Sequence, residues 1–543
     1  MDGGWSQLKK NRKLHLILLS VVAVIYFIWR IFYTMPLGDP VIGTVIGIVV
    51  LLTELIGYLE LIFHLWISIH DQPKRRRSES KILPDVDVLI TACGEPLDVL
   101  KGTISACCGI DYPADKKHVF VCDDGDCDEL RDLSSELGVG YLRRQEHQHA
   151  KAGNLNEALK VTDSPLVAVF DADMRPKREF LSRTVPHFLG SSEKHGIRKI
   201  DETVGFVQTP QCFEGPDLFQ RAFGKEAGIS NEQDYFYFSI EPSRNRINAV
   251  ILAGTNMLIS RKALEDVGGF HTDTLTEDFA TGIEITKKGY RTIDITEELA
   301  VGEVPHDLPS LISQRRRWAR GCISSGRTTH FLFSKDLSGT QKISYLLAIL
   351  YWYYPLKRFL YLIGPLLYVI AGIPVVNSSP VGMLFIWVPF YLLSSYEITS
   401  FSNHMRTPHL SRFYENCLAP FLFFPVLLET VGIRYKKFAV TSKSKGNRWN
   451  VSYLIPFLVL TALHLAAIVV VLSDGSRFLF QSFFMVFWLF YNMFELLTAG
   501  AFILACSGLP ESEDWNRAHD LGKKYFLNVN PVLILKNCFT GRD

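Results

Sequence analysis

The spacing of apolar and polar positions changes character twice along this chain. Towards both ends, apolar residues gather into runs long enough to cross a membrane. Between Pro84 and about Gly326 they shorten to strand-length runs separated by amphipathic segments. A hydrocarbon core of roughly 30 Å takes about 20 apolar helical residues to cross. Leu14–Tyr33, Val41–Ile69, Phe359–Val376, Val381–Phe401, Tyr453–Ser473 and Phe478–Cys506 are therefore six predicted spans. The first follows Lys9, Lys10, Arg12 and Lys13, and no small-residue cleavage site comes after it, so it reads as a signal anchor and not a cleaved leader. Ile343–Tyr354 stops at Pro355, and Leu418–Leu428 is interrupted by Pro420 and Pro425. Both are too short to cross and read as helices lying in the interface.

In the middle region, "VDVLITA" (Val86–Ala92), "HVFVCDD" (His118–Asp124), "LVAVFDAD" (Leu166–Asp173) and "VGFVQT" (Val204–Thr209) read as buried strands. Asp98–Cys108 and Lys151–Lys160 are helical stretches between them, and "AGTNMLISRKALEDVGGF" (Ala253–Phe270) reads as a small-residue turn plus a helix. Alternating βα units predict a Rossmann-like α/β domain: a parallel sheet with helices on both faces and ligands at the carboxyl ends of its strands.

Composition agrees with a soluble domain spliced into a membrane bundle, at 48% hydrophobic and 21% charged residues with mean hydropathy +0.13. A net charge of +1 leaves no global basic field, so nucleic acid is not an expected partner. The ten cysteines show neither CxxC pairs nor zinc spacing and read as reduced thiols. Charge placement orients the spans. The turns at Thr34–Pro40 and Asn377–Pro380 carry no Lys or Arg, whereas "PKRRR" (Pro73–Arg77), Arg434–Lys445 and the tail with Lys523 and Lys524 are basic. Both termini and the middle domain are thus expected in the cytosol of a multi-pass plasma-membrane protein. Glu54, Glu60, His64, Glu397, His464, Gln481, Asn492 and Glu495 lie inside the spans. Singly they read as inter-helix hydrogen-bond partners; together with the aromatic residues they suggest a polar passage.

Acidic residues mark the predicted strand ends. Asp123 and Asp124 close one strand, and Asp171 and Asp173 another. Residues i and i+2 leaving a strand point the same way, so Asp171 and Asp173 can face one hard cation, Mg2+ or Mn2+, which in turn bridges phosphate oxygens. "LTEDFATG" adds Glu277 and Asp278, and a carboxylate not needed by the metal can take a proton from an attacking hydroxyl. "SQRRRWARG" (Ser313–Gly321) follows some 40 residues later, directly before the first interfacial run. Arginines suit phosphate oxygens, and an indole offers a sugar ring a flat face.

Taken together these residues resemble the processive family-2 glycosyltransferases, in particular the bacterial cellulose synthase type. The resemblance rests on the ordered D, D, D, QxxRW signature: Asp123 in "CDDG", Asp171 and Asp173 in "DAD", Asp278 in "TED", and Gln314, Arg317 and Trp318 in "QRRRW". "HAKAGNLNEAL" (His149–Leu159), "QTPQ" (Gln208–Gln211), "GTN" (Gly254–Asn256) and "FAVTSK" (Phe438–Lys443), similar to an FxVTxK gating loop, support it. The resemblance runs from about Thr91 to Lys443 and implies a GT-A domain inserted in an α-helical transmembrane bundle with interfacial amphipathic helices. It implies that Thr91, Glu95, Asp123 and Asp124 bind the uridine side of a UDP-sugar, that Lys151, Asp171 and Arg317 lie at its diphosphate, and that Asp173 helps Asp171 bind the metal. Asp278, with Glu277 beside it, would be the general base; Gly254, Thr255, Gln314 and Trp318 would bind the acceptor; Thr441 and Lys443 would reach the donor when the loop closes. UDP-glucose, a growing polysaccharide and the lipid bilayer are the implied partners, with room for an accessory or export subunit.

Departures from the family pattern bear on product and regulation. The short tail after Cys506 predicts no cyclic-di-GMP-binding PilZ barrel, and the missing plant-type zinc-finger and insertion regions point to a bacterial source. The cellulose-type Cys–Gly–Ser motif is replaced by Ala253, Gly254 and Thr255, leaving 1,4, mixed 1,3;1,4 and curdlan-like 1,3 β-glucan open. Rival readings are a hyaluronan- or chitin-type synthase, a transferase adding one sugar to a lipid carrier and, from another class, a non-catalytic scaffold or channel. The expected organisation is a transmembrane pair (1–70), a basic linker (71–83), the glycosyltransferase domain (84–326) and interfacial helices (327–358). A second pair (359–401), an interfacial helix with the gating loop (402–450), a third pair (451–506) and a cytosolic tail (507–543) complete it.

Overall fold

In the computed structural model, the described residues are 2–38, 40–69, 82–194, 197–223, 229–433, 449–473 and 480–507. Helices α1 (Asp2–Tyr33) and α2 (Val41–Ser68) come first. A seven-stranded sheet follows, made of β1 (Val86–Ala92), β2 (Lys117–Asp123), β3 (Gly140–Arg143), β4 (Leu166–Asp171), β5 (Val204–Gln208), β6 (Met257–Ser260) and β7 (Arg291–Asp294), in the order β7-β5-β6-β4-β1-β2-β3. Helices α3 (Leu97–Cys108) and α4 (Ala150–Val161) connect early strands, and α5 (Glu277–Lys287) precedes β7.

Alternation along the strands builds two cores. Val86, Val88 and Ile90 of β1, with Leu166, Ala168 and Phe170 of β4, pack into one cluster. Leu89, Val167 and Val169 point to the other face, against Leu155, Val250 and Leu264. The one charged residue in β1, Asp87, is buried but paired: it accepts from Arg261 at 2.8 Å and from the Ser164 amide and hydroxyl at 2.9 and 2.7 Å.

The sheet is mixed, not wholly parallel. β6 runs antiparallel to both β4 and β5, whereas the other pairs are parallel. "MLIS" sits inside the stretch read as turn plus helix. Four residues are too few to display a period, and their strand conformation comes from ladders contributed by chain about 50 to 90 residues away.

The sheet domain continues into the membrane helices without a spacer. Helix α6 (Leu308–Thr328) is capped by the Asp307 carboxylate, which accepts from the Ser310 amide at 2.8 Å. Its Ala319 and Ile323 pack with Phe279 and Ile283 of α5, while Leu308, Leu311 and Ile312 pack against Tyr414, Leu418 and Phe502. The expected interfacial run is α7 (Gly339–Tyr351), begun by a capping box of Ser338 and Gln341. Pro355 does not simply end it. It occupies the first turn of α8 (Tyr354–Ala371), where a missing N–H costs nothing.

Five described helices are long and apolar enough to cross a membrane: Arg12–Tyr33, Val41–Ser68, Pro380–Phe401, Val451–Ser473 and Val486–Ala505. The sixth expected span, Phe359–Val376, overlaps α8, which carries Lys357 and Arg358 in its first turn and closes at Gly372 with φ +66. Leu418–Leu428 is no isolated short run. It lies within the continuous 23-residue helix α9 (Pro408–Thr430), whose internal Pro420 and Pro425 are tolerated while Leu418, Leu422 and Val426 stay buried. Several polar groups in the spans find partners on other helices, whereas His64 and His464 bond the Glu60 and Leu460 carbonyls of their own helices. Glu54 accepts from Arg30 at 2.8 Å, Glu397 meets His15 at 3.1 Å, Asn492 donates to the Tyr361 carbonyl at 3.1 Å, and Glu495 accepts from Arg412 and Asn416 at 3.0 and 2.7 Å.

Candidate active site

Register brings the acidic residues together. Thr91 of β1 sits opposite Asp171 of β4, and Ala92 opposite Asp123 of β2, so three strands end on one line. The Thr91 hydroxyl lies 3.4 Å from Asp171 Oδ1. Glu95, in the loop after β1, accepts from the Cys93 amide at 2.6 Å. Burial pushes its carboxyl upward, and the nearby Asp171 and Asp173 carboxylates add to the rise against two backbone hydrogen bonds. Asp171, Asp173 and Glu95 therefore share one negative field.

Lys151, in the first turn of α4, answers that field. Its ammonium hydrogen-bonds Asp171 and donates to the Gly254 carbonyl at 2.8 Å. Burial alone would lower its pKa; Asp171, Glu277 and Asp278 outweigh this and raise it. Helix α4 is delivered by a turn in which His149 and Ala150 both have positive φ, 62° and 44°. Arg144 holds that turn, donating to the Gln148 and Ala150 carbonyls at 2.5 and 3.0 Å while forking onto Asp124 at 2.5 and 2.6 Å.

Asp278 stands at the start of α5 and its Oδ1 accepts from the Phe279 amide at 2.8 Å. Its carboxyl is raised to about 7, first by burial and then by Glu277, against lowering by that amide, Lys151 and Arg317. Gly254 lies directly against it: at φ +84, a Cβ there would stand 2.5 Å from Asp278 Oδ2. The 253–256 turn is gripped by Gln208, which is fully buried, accepts from the Ala253 amide at 2.8 Å and donates to the Thr255 carbonyl at 2.9 Å.

The basic segment divides its labour. Arg315 pairs with Glu232, donates to Gln314 Oε1 at 3.0 Å and covers one face of the Trp318 indole at 4.3 Å. Arg317 acts on Asp278, and Arg320 turns the other way, onto Glu429 of α9 at 3.0 Å. Trp318 packs edge-on against Trp352. One turn on, Cys322 bonds Trp352 and Thr276 and has its thiol pushed up to about 12 by burial and by Asp278. The indole thus shares a helix face with groups touching the Asp278 loop.

Three of the expected site residues are held by partners within the protein. Both Asp123 oxygens are already engaged, by the Gly125 and Cys127 amides at 2.8 Å each and the Tyr141 hydroxyl at 2.7 Å, because the turn folds back on its carboxylate. Asp124 is locked to Arg144 and shapes the turn before Lys151. Thr255 is 1% exposed, and its hydroxyl accepts from the Asp171 amide at 2.9 Å, so it braces the β4 tip. Thr91, Glu95, Lys151, Asp171, Asp173, Gly254, Glu277 and Asp278 gather around the strand ends, and Gln314, Arg317 and Trp318 lie on α6, from which Arg317 acts on Asp278. Thr441 and Lys443 lie outside the described residues. Tyr141 and Arg144 carry no signal in the sequence, whereas Gln208 opens the "QTPQ" motif.

Among the described residues no three His, Cys, Asp or Glu side chains form a ready-made metal cage. Asp171 and Asp173, whose carboxylates share one field with Glu95, are oxygen donors of the kind that would suit a hard divalent ion.

The family model described as "Glycosyl transferase family group 2" matches residues 166–399. The chain is 34% identical over 463 residues to a cellulose synthase catalytic subunit of Pseudomonas fluorescens, covering 83% of this chain and 61% of that protein. It is 32% identical over 481 residues to the cellulose synthase catalytic subunit of Xanthomonas axonopodis pv. citri, covering 86% and 64%. The chain therefore spans about three fifths of the length of these curated relatives. Among solved structures, a mannosyltransferase of Pyrobaculum calidifontis in complex with GDP-Man and Mn2+ is 18% identical with a TM-score of 0.48, covering 72% of this chain and 99% of its own.

Proposed function

From a chain whose residues 166–399 match the family-group-2 glycosyl transferase model and which is similar to cellulose synthase catalytic subunits, we propose that it is a processive, inverting glycosyltransferase. It takes glucose from UDP-glucose, extends a β-glucan of cellulose type, and feeds the polymer into its own membrane bundle. The observation that carries this is Asp278: a carboxyl raised to about 7, set against the bare backbone of Gly254, with Lys151 and Arg317 acting on it from two sides.

The acceptor hydroxyl gives its proton to the Asp278 carboxylate as its oxygen bonds to the anomeric carbon. The bond from that carbon to the diphosphate breaks on the opposite side, UDP leaves with the electron pair, and an α-linked donor becomes a β-linkage. Lys151 and Arg317 stabilise the charge that develops on the diphosphate. When bound at Asp171 and Asp173, Mg2+ or Mn2+ would neutralise part of that same charge. Glu95 and Thr91 bound the uridine side. The half-buried Trp318 receives the acceptor ring, with Gln314 one turn before it. Because α6 carries this indole and packs directly on α9 and the membrane helices, a new linkage forms at the entrance to the bundle. The domain and both termini lie in the cytosol in this reading, which the basic flanks support.

Purified protein in proteoliposomes, offered UDP-glucose or UDP-N-acetylglucosamine with Mg2+, tests the proposal. Polymer from UDP-glucose that linkage-specific glucanases digest is expected, and Asp278→Asn removes it. Incorporation from the N-acetylated donor alone, or unchanged output from the variant, refutes it.

A further inference from the structure

Thr276 occupies the N-cap position of α5 yet makes no capping bond with its side chain. Its hydroxyl is instead 3.1 Å from the Ser325 hydroxyl on α6. Thr274, two residues earlier, is held by the same stretch of α6: its hydroxyl lies 2.8 Å from Ser324 Oγ, 3.0 Å from Ser325 Oγ and 3.2 Å from the Gly321 carbonyl. Ser325 also donates to the Thr276 carbonyl at 3.4 Å. Contact is closest at Gly321, where an added Cβ would meet Thr276 side-chain atoms at 2.4 to 2.9 Å. Most of the cluster is buried, with Ser325 at 0%, Ser324 at 5% and Thr276 at 7% exposure, and Thr274 is half-buried.

Two residues after this clamp comes Asp278. Helix α6 is fixed from its other side by Glu429 of α9, 2% exposed, which binds both Arg320 and Arg327. The loop is thus fastened to a helix that cannot easily yield.

We infer that the Gly321–Ser325 stretch of α6 positions the transfer base: Ser325, through Thr274 and Thr276, sets where the Asp278 carboxylate stands. This rests on the reading of Asp278 as the base. Ser325 touches no reacting atom in this account. It is a positioning residue, and it couples the helix that bears the acceptor-facing indole to the group that activates the acceptor. The groups acting on Asp278 are Glu277 beside it, Lys151 from α4, and Arg317 and Cys322 from α6, with Tyr237 nearby. Loosening the loop changes its distance to all of them and admits water.

Ser325→Ala in the full-length protein in proteoliposomes tests this, with UDP release as the rate and UDP binding measured separately. We expect kcat to fall about tenfold or more while UDP affinity stays within about twofold. The acid-side midpoint of the pH–rate profile should move down by about half a unit or more, as the carboxyl becomes better hydrated. Gly321→Ala should act in the same sense by displacing Thr276. Ser344→Ala in α7, another buried serine and one whose hydroxyl has no hydrogen-bond partner among the described residues, should leave both quantities unchanged. A Ser325→Ala profile with wild-type rate and midpoint overturns the inference, as does a fall in rate with an unmoved midpoint and matching loss of UDP binding. Asp278→Asn separates the two readings: full activity there sinks the base assignment itself, whereas an inactive Asp278→Asn beside an unperturbed Ser325→Ala sinks only the clamp.

Discussion

Replacing Gly254 by alanine isolates the geometry around the base. The backbone there has φ +84, a region where an L side chain costs on the order of 1–3 kcal/mol. The new methyl would also stand 2.5 Å from Asp278 Oδ2, about 1 Å short of an ordinary contact. Backbone strain alone would lower stability modestly and leave the chemistry intact. The collision acts elsewhere: the carboxylate must retreat, and a displacement of about 1 Å in a reacting group is worth roughly 100-fold in rate. The Gly254 carbonyl is bonded to Lys151, so a shift of the turn is restrained from that side. Gly254→Ala should therefore lower kcat about 100-fold in a UDP-release assay, with UDP affinity changed less than about threefold. A rate within about twofold of wild type would show that Asp278 does not act from where this structure holds it.

The base must be deprotonated to work, so the rate should rise with pH to a plateau above about 7 and fall about tenfold per unit below it. Glu277→Gln, which removes a carboxylate that raises Asp278, should move that midpoint lower; an upward shift contradicts the assignment. Exhaustive chelation should stop UDP release, and Mg2+ or Mn2+ should restore it; turnover that survives chelation removes the metal from Asp171 and Asp173. Glu429→Ala leaves Arg320, 8% exposed, without its carboxylate and should cost about 3 kcal/mol, seen as a lower thermal unfolding midpoint in detergent. An unchanged midpoint would mean that α6 is held by packing alone.

Much of this molecule is written locally. Val86–Ala92 and Leu166–Asp171 form strands because their side chains can be buried on both faces whatever lies next to them. The membrane helices follow from run length. Asp171 and Asp173 stand out in the sequence because they close an apolar run, and Asp278 because its place in the D, D, D, QxxRW order implies a base. What the one-dimensional pattern withheld is everything that depends on a distant partner. β6 became a strand only because β4 and β5 flank it. Thr255 turned inward because the Asp171 amide needed an acceptor, and Asp123 closed on Tyr141. The arginines of one basic segment parted company, one towards Asp278 and another to Glu429 of α9. Ser325, anonymous in the sequence, meets Thr274 and Thr276 some 50 residues earlier. Periodicity and charge act between neighbours in the chain and are legible there. The direction in which a side chain points, and hence whether it braces or reacts, is set by contacts that exist only once the chain has closed on itself.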